Sequence, residues 1–330
     1  MAHGAAPELD PGAVALLERA RALEKHAVGR LISIVEQETD ASRARRVALF
    51  RYLAAHAAEY PDAARIIGVT GTPGTGKSSL IGRVCLRLLE RDPALRVAVL
   101  AIDPSSPVTG GALLGDRVRT QFPVGERRIF FRSQASRGSL GGVGRRTFAV
   151  TRLLRHLFDL VLIETVGIGQ SEIDVTHLSD VTMLVLQPLA GDHIQFLKAG
   201  IMEVPDAFVV NKCDEEHLAR RSLTELASVL EFAQVGGRTP RVFQASAVTG
   251  LGIEELAAFL AEQATLRPAP GTRRAQEACF LRKAIAERYG RFGTGEMDRI
   301  FPDGTLPDGS EAVLEELEDR VLAAIGTRLR

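Results

Sequence analysis

Tryptophan is absent from the 330 residues, and tyrosine occurs only three times. With aromatic residues at 5% of the chain, a ring-stacking platform for single-stranded nucleic acid has little to be built from. Neither sign of charge is in excess, since 41 basic residues meet 41 acidic ones. A general nucleic-acid or membrane-surface binder normally carries a basic excess, so neither kind of partner is expected. Cysteine is scarce as well: Cys85, Cys213 and Cys279 are scattered, with no C-x-x-C pair. A disulfide framework or a thiolate zinc site is therefore not expected, and a reducing compartment, the cytoplasm, fits. The first ten residues contain two acids and no apolar stretch, unlike a secretory signal. No uninterrupted apolar run approaches the ~18 residues that span a membrane.

What is present is ordinary for a folded chain: 45% hydrophobic residues and 25% charged ones. Between residues 14 and 58 apolar residues recur at helical spacing (Leu16, Leu17, Ala20 and Leu23, then Leu31, Ile32 and Val35, then Val47, Phe50 and Leu53). Three amphipathic helices are expected there, as an N-terminal extension over residues 1–60. After Pro61 short apolar runs of strand character appear at 66–70, 97–102, 129–131, 160–163, 181–186, 207–210 and 242–244. Helix-length segments lie between most of them, for example 78–90, 143–157, 195–202 and 218–233. Buried strands alternating with helices predict an α/β domain over 61–266, a mostly parallel sheet wound on both faces. Such sheets bind ligands outside the carboxyl ends of their strands. A Pro-rich break at 267–271 opens a C-terminal arm, 267–330, with helices expected at 275–289 and 311–329 and a loop at 290–310. That arm is too small for a core of its own.

The chemical motifs fall just after the strands. GTPGTGKS follows the first strand, precedes a helix and matches G-x-x-x-x-G-K-[ST] at every fixed position. It predicts a P-loop NTPase in which Gly71, Thr72, Pro73, Gly74, Thr75, Gly76, Lys77, Ser78 and the adjoining Ser79 hold phosphates. Glycines let successive amides turn inward as an anion nest at a helix N-terminus. Lys77 reaches the β- and γ-phosphates, and the Ser78 hydroxyl is placed to ligate Mg²⁺.

A magnesium site needs further oxygen, usually carboxylate. Asp103 ends the second strand, Asp116 lies in the loop LLGDR, and Glu164 follows the strand at 160–163 in ETVG. Glu164 resembles a Walker-B acid, and Gly167 can offer its amide to the γ-phosphate. For each acid taken alone, a helix cap or a solvated loop charge is the alternative.

NKCD, at 211–214, follows the strand at 207–210 and is the guanine-reading pattern N-K-x-D. The Asp214 carboxylate accepts both the N1–H and the exocyclic amine of guanine; adenine lacks that donor pair and would leave the acid unpaired. Asn211 and Lys212 complete the motif. Ser246 and Ala247, after the strand at 242–244, match the loop that touches the guanine O6. GTP and GDP are thus the expected nucleotides.

With these residues in hand, the chain resembles the methylmalonyl-CoA-mutase-associated GTPases (MeaB or ArgK type, within the SIMIBI class of P-loop GTPases), once described as lysine/arginine/ornithine transport kinases. The likeness runs from about Arg30 to Leu256. It is carried above all by AIDPSSPVTGGALLGDR (101–117), RGSLGGVGRRT (137–147) and ETVGIGQSEIDV (164–175). The resemblance implies a GTP-hydrolysing chaperone for an adenosylcobalamin-dependent acyl-CoA mutase, such as methylmalonyl-CoA mutase. Family members gate loading of the cobalamin cofactor and protect or reactivate the mutase. They are homodimers, formed partly through the C-terminal arm. It also implies that Ser78, Asp103, Asp116 and Glu164 surround Mg²⁺. The segment PLAGDHIQFLKAG (188–200) departs from the family pattern P-G-x-G-D-E-L-Q-G-I-K-K-G, with Leu189, His193, Phe196 and Ala199 in place of glycine, acid, glycine and lysine.

For hydrolysis, Lys77 and Glu164 are candidate catalytic residues. Gln170 in GIGQSE either orients the attacking water or bonds its own loop's backbone. A cis arginine is offered by Arg137, Arg145 or Arg146, each of which also reads as a solvated charge. Without an arginine finger such enzymes turn over slowly, on the order of 10⁻⁴ to 10⁻² s⁻¹. Two other classes share features of the pattern. A nickel or cobalt metallochaperone GTPase would carry clustered His or Cys, and the seven histidines here are dispersed. A nucleotide-dependent kinase would need a base and an acceptor pocket, and N-K-x-D speaks against ATP as its donor.

Overall fold

The computed structural model describes residues 8–37, 39–103, 122–123, 125–135, 144–165, 175–188, 205–232, 240–307 and 314–328. Three helices come first: α1 (Pro11–Arg21), α2 (Lys25–Glu36) and α3 (Asp40–Ala55). An alternation follows of β1 (Arg65–Thr70), α4 (Lys77–Arg91), β2 (Val97–Asp103), β3 (Ile129–Ala135), α5 (Arg145–Leu154) and β4 (Leu160–Glu164). It continues with β5 (Val181–Leu186), β6 (Ala207–Val210), α6 (Glu216–Phe232), β7 (Arg241–Gln244) and α7 (Ile253–Thr265). Two helices, α8 (Thr272–Ile300) and α9 (Leu314–Arg328), complete the series. The chain divides into two compact units, one of Ala64–Thr147 and Phe158–Arg267, the other of Met1–Ala63, Phe148–Leu157 and Pro268–Arg330.

The first unit is built on a seven-stranded sheet in the order β3-β2-β4-β1-β5-β6-β7, and every neighbouring pair is parallel. Every residue of β2, β4 and β5 is buried, as Val/Leu/Ile runs covered on both faces require. The period of two sends alternate residues to opposite sides. Met183 and Val185 of β5 join Leu80 and Val84 of α4 and Leu256 and Leu260 of α7. Leu184 and Leu186 join Phe208, Val210 and, from α6, Ala219 and Leu226. The sheet is therefore doubly wound, and it is parallel throughout. β1 lies between β4 and β5: β2, β3 and β4 all lie on one side of it and β5, β6 and β7 on the other, and crevices form at such switch points.

The two ends of the sheet carry different kinds of acid. At the amino end the carboxylates brace the strands: Asp180 accepts from Ile66 N at 2.8 Å, Asp206 from Thr182 N at 2.8 Å, and Asp159 from Arg96 N at 2.9 Å. At the carboxyl end lie Asp103 and Glu164, the last residues of β2 and β4.

The second unit is helical. Leu17, Leu31, Ile32, Leu49 and Leu53 from α1, α2 and α3 are buried, as are Leu281, Ile285, Leu317, Val321 and Ile325 from α8 and α9. The C-terminal helices thus belong to the same unit as the N-terminal ones. Charges are buried here too: Arg152 donates to Glu315 Oε1 at 3.0 Å, lies 3.3 Å from Glu277 and sits 3.9 Å over the Phe50 ring. Arg155 pairs with Asp62 at 3.0 Å.

One expectation is corrected in this unit. The loop expected at 290–310 is helical as far as Ile300, because α8 kinks at Gly290 and resumes. Gly290 holds φ 57°, ψ −147°, a conformation open to glycine, and Gly293, Glu296 and Met297 beyond it are buried. Among the described residues no helix is long and apolar enough to cross a membrane. The helix expected at 195–202 and the divergent segment from Leu189 to Gly200 lie outside the described residues.

Candidate nucleotide site

β1 delivers the chain to Gly71 at the carboxyl edge of the sheet, and α4 begins at Lys77. Gly71 has φ +142°, and a Cβ there would stand 2.1 Å from the Val185 carbonyl oxygen, so no other residue fits. Between these points Thr72, Pro73, Gly74, Thr75 and Gly76 make a tight loop, with Thr75 Oγ1 donating to Thr72 O at 2.9 Å. The Lys77 side chain is buried and folds back, its Nζ donating to Gly71 O at 2.7 Å and Thr72 O at 3.1 Å. Ser78 and Ser79 follow on the first turn of α4.

The Ser78 hydroxyl donates to Glu164 Oε1 at 2.7 Å, and both side chains are buried. The sheet register explains the meeting: Glu164 is paired with Val69 of β1 on one side and Ala101 of β2 on the other. Next to Glu164, Thr165 Oγ1 donates to Thr70 Oγ1 at 2.9 Å and fixes the strand ends together. Asp103, buried at the tip of β2, accepts a hydrogen bond from Ser133 of β3. The Ser78–Glu164 pair offers oxygen only, the donor chemistry that a hard divalent cation such as Mg²⁺ takes. Among the described residues no group of three or more His, Cys, Asp or Glu side chains converges as a metal site. Asp116, Gly167, Gln170 and Arg137 lie outside the described residues, while Arg145 and Arg146 open α5.

On the other side of β1 the loops after β6 and β7 are tied to each other and to the phosphate loop. Asn211 is buried, and its Nδ2 donates to Thr75 O at 2.7 Å. Lys212 takes a left-handed turn at φ 61°, with Nζ donating to Gln187 at 3.0 Å. Cys213 N donates to Ala245 O at 3.0 Å, and burial pushes the Cys213 thiol pKa up, which keeps it protonated and inert. Asp214 is exposed and accepts a hydrogen bond from the Ser246 hydroxyl. Ala247, the next residue, has its carbonyl held by Arg83 Nε at 3.0 Å.

Glycine loop, lysine, buried hydroxyl–acid pair and exposed aspartate thus share one edge of the sheet. Sequence reasoning missed Thr70, Thr165, Ser133 and Arg83, which position these groups. No local pattern marks them, because each acts on a partner distant in the chain.

Against known proteins, residues 28–289 match the family described as Methylmalonyl Co-A mutase-associated GTPase MeaB. A relative from Pyrococcus horikoshii carried under the name of a GTPase is 39% identical over 247 residues, 73% of this chain and 74% of its own. The mitochondrial methylmalonic aciduria type A homolog of Caenorhabditis elegans is 38% identical over 201 residues, 59% of this chain and 50% of its own. Among solved structures, that of LAO/AO transport system kinase matches with a TM-score of 0.60 at 22% identity, over 98% of this chain and 99% of its own, a likeness of fold.

Proposed function

The chain belongs to the methylmalonyl Co-A mutase-associated GTPase family, and from that premise we propose that it is a chaperone whose GTP hydrolysis gates adenosylcobalamin loading of a B12-dependent acyl-CoA mutase. That it is a GTPase and binds guanine nucleotides follows from the family and the P-loop fold. The mutase role is supported by the family's description and by the name of the Caenorhabditis elegans relative. A homodimer in a cytoplasmic setting, with the C-terminal arm contributing to dimerisation, belongs to the same proposal.

In this reading the backbone N–H groups of the loop from Gly71 to Ser78, Pro73 excepted because it has none, wrap the β- and γ-phosphates, and Lys77 exchanges its two loop carbonyls for phosphate oxygens. Asp214 accepts the paired donors of guanine, with Asn211 holding its loop against Thr75. Ser246 keeps that carboxylate oriented, and Ala247 supplies an amide at the guanine O6. Ser78 and Glu164, with Asp103 and Asp116, would hold Mg²⁺, which neutralises charge on the β- and γ-phosphates when bound. Gly167 offers an amide to the γ-phosphate, and Gln170 orients the attacking water.

The observation that carries the proposal is the family match across residues 28–289. Its test is transfer of adenosylcobalamin to an apo acyl-CoA mutase, followed by the cofactor's absorbance, with GTP or a non-hydrolysable GTP analogue. Transfer that depends on hydrolysis supports the gate. Transfer at equal rate and extent with GTP, the analogue or no nucleotide would remove it.

A further inference from the structure

A groove of about 690 Å³ opens among α1, α2 and α3, in the compact unit that does not contain the glycine loop. Helical periodicity builds it: Arg30 and Ile34 share one face of α2, and Arg45, Ala48 and Leu49 line the groove from α3. Ala48 and Leu49 are buried, while Ile34 and, from α1, Leu16 are half-buried. An apolar lining with few polar groups, at this volume, is the make-up of a small-molecule site.

The charges at the groove set it apart from the rest of these helices. Arg19 pairs with Glu24, Arg21 with Glu59, Arg43 with Glu318, Arg46 with Glu315 and Arg51 with Glu316. The remaining arginines of α1–α3 are Arg30 and Arg45, and neither has an ion pair or hydrogen bond among the described residues. Both are exposed, and both line the groove. A guanidinium presents a fork of donors that matches a carboxylate or phosphate. Two acids, Glu8 and Asp10, line the groove as well; they precede α1, and among the described residues no ion pair joins them to either arginine. A membrane surface dense in negative heads is repelled by such acids, whereas a single head group needs only the arginines.

We propose that this groove binds a free amphiphilic anion, a carboxylate or phosphate monoester on an apolar chain, with the head at Arg30 and Arg45 and the chain against Leu16, Ile34, Ala48 and Leu49. The site is separate from the nucleotide site and does not depend on how that site is read.

The experiment is calorimetric titration of the full chain with octanoate, decanoate and dodecanoate, each below its aggregation concentration, and with decan-1-ol. Binding should tighten about fourfold per added CH₂, as burial of the chain implies. Decan-1-ol, which has the chain without the charge, should bind about tenfold more weakly than decanoate or worse. Arg30→Gln and Arg45→Gln, which keep most of the stem, should each weaken decanoate about tenfold and leave decan-1-ol unchanged. Ala44 and Ala15 are exposed and also line the groove, so Ala44→Phe and Ala15→Phe should fill it without disturbing the buried residues. Each should abolish binding of decanoate and decan-1-ol, with melting temperature and GTP hydrolysis at the parent values. Absence of decanoate binding, or equal affinity for decanoate in the parent and both arginine variants, overturns the anion site. Undiminished binding by the two phenylalanine variants overturns the groove as its location. Capture of the chain by phosphatidylglycerol vesicles without binding of monomeric decanoate overturns the free amphiphile in favour of a membrane surface.

Discussion

The Asn211 side-chain amide donates to the Thr75 carbonyl oxygen across 2.7 Å, tying the loop after β6 to the glycine-rich loop after β1. The bond is buried and spans 136 residues of sequence. The glycine loop and the loop after β6 are therefore one preorganised surface rather than two independent loops.

Removing that tie should be costly. Asn211→Ala leaves the buried Thr75 carbonyl without its donor, a loss of about 1–3 kcal/mol, or roughly tenfold to a hundredfold in GDP affinity. Titration with GDP measures it. Affinity unchanged within twofold would mean the tie is incidental.

Glu164→Gln retains an oxygen to accept from Ser78 and removes the charge. GTP hydrolysis should fall on the order of a hundredfold, and the half-saturating Mg²⁺ concentration should rise. GDP binding measured without Mg²⁺ should remain within twofold of the parent. A Mg²⁺ dependence identical to the parent would contradict the assignment of Glu164.

In the helical unit, Arg152 is enclosed with Glu277 and Glu315. Arg152→Met takes one cation from each of two buried carboxylates and leaves Glu277 to Arg274 and Arg155 and Glu315 to Arg46, so the loss should fall between about 1 kcal/mol and the ~3–5 kcal/mol of a fully broken buried pair. Urea denaturation reads this directly. A loss below about 1 kcal/mol would show that water or rearrangement satisfies the acids.

His156 gives the same unit a pH dependence. Burial disfavours its charged form, Asp62 and the Tyr60 carbonyl partly offset this, and Arg155 and Arg152 reinforce it, so its pKa lies below the usual 6.5. The unfolded chain then binds a proton that the folded chain refuses, and stability falls as pH drops through 6.5. Thermal melts between about pH 7.5 and about pH 5.5 should show this slope, and His156→Gln should flatten it. Equal slopes in parent and variant would contradict it.

The differences between sequence and structure have physical causes. The phosphate loop and the N-K-x-D loop were legible because each is a short local pattern after a buried strand, where backbone geometry demands those residue types. Their ties were not, since Asn211–Thr75 and Arg83–Ala247 join residues far apart in the chain. Nothing in the sequence singles out Arg152 or Arg155, because spacing does not reveal that Glu315, Glu277 and Asp62 enclose them. Gly290 read as the start of a loop because glycine usually ends helices; the buried Glu296 and Met297 beyond it restart one.

The central claim is most directly tested by hydrolysis of GTP against ATP by the purified protein, with and without a B12-dependent acyl-CoA mutase from the same genome. The account predicts slow hydrolysis selective for GTP, on the order of 10⁻² s⁻¹ or less, accelerated when the mutase is added. GTP-selective hydrolysis indifferent to every such mutase, or turnover of tens per second by the isolated protein, would contradict the chaperone role.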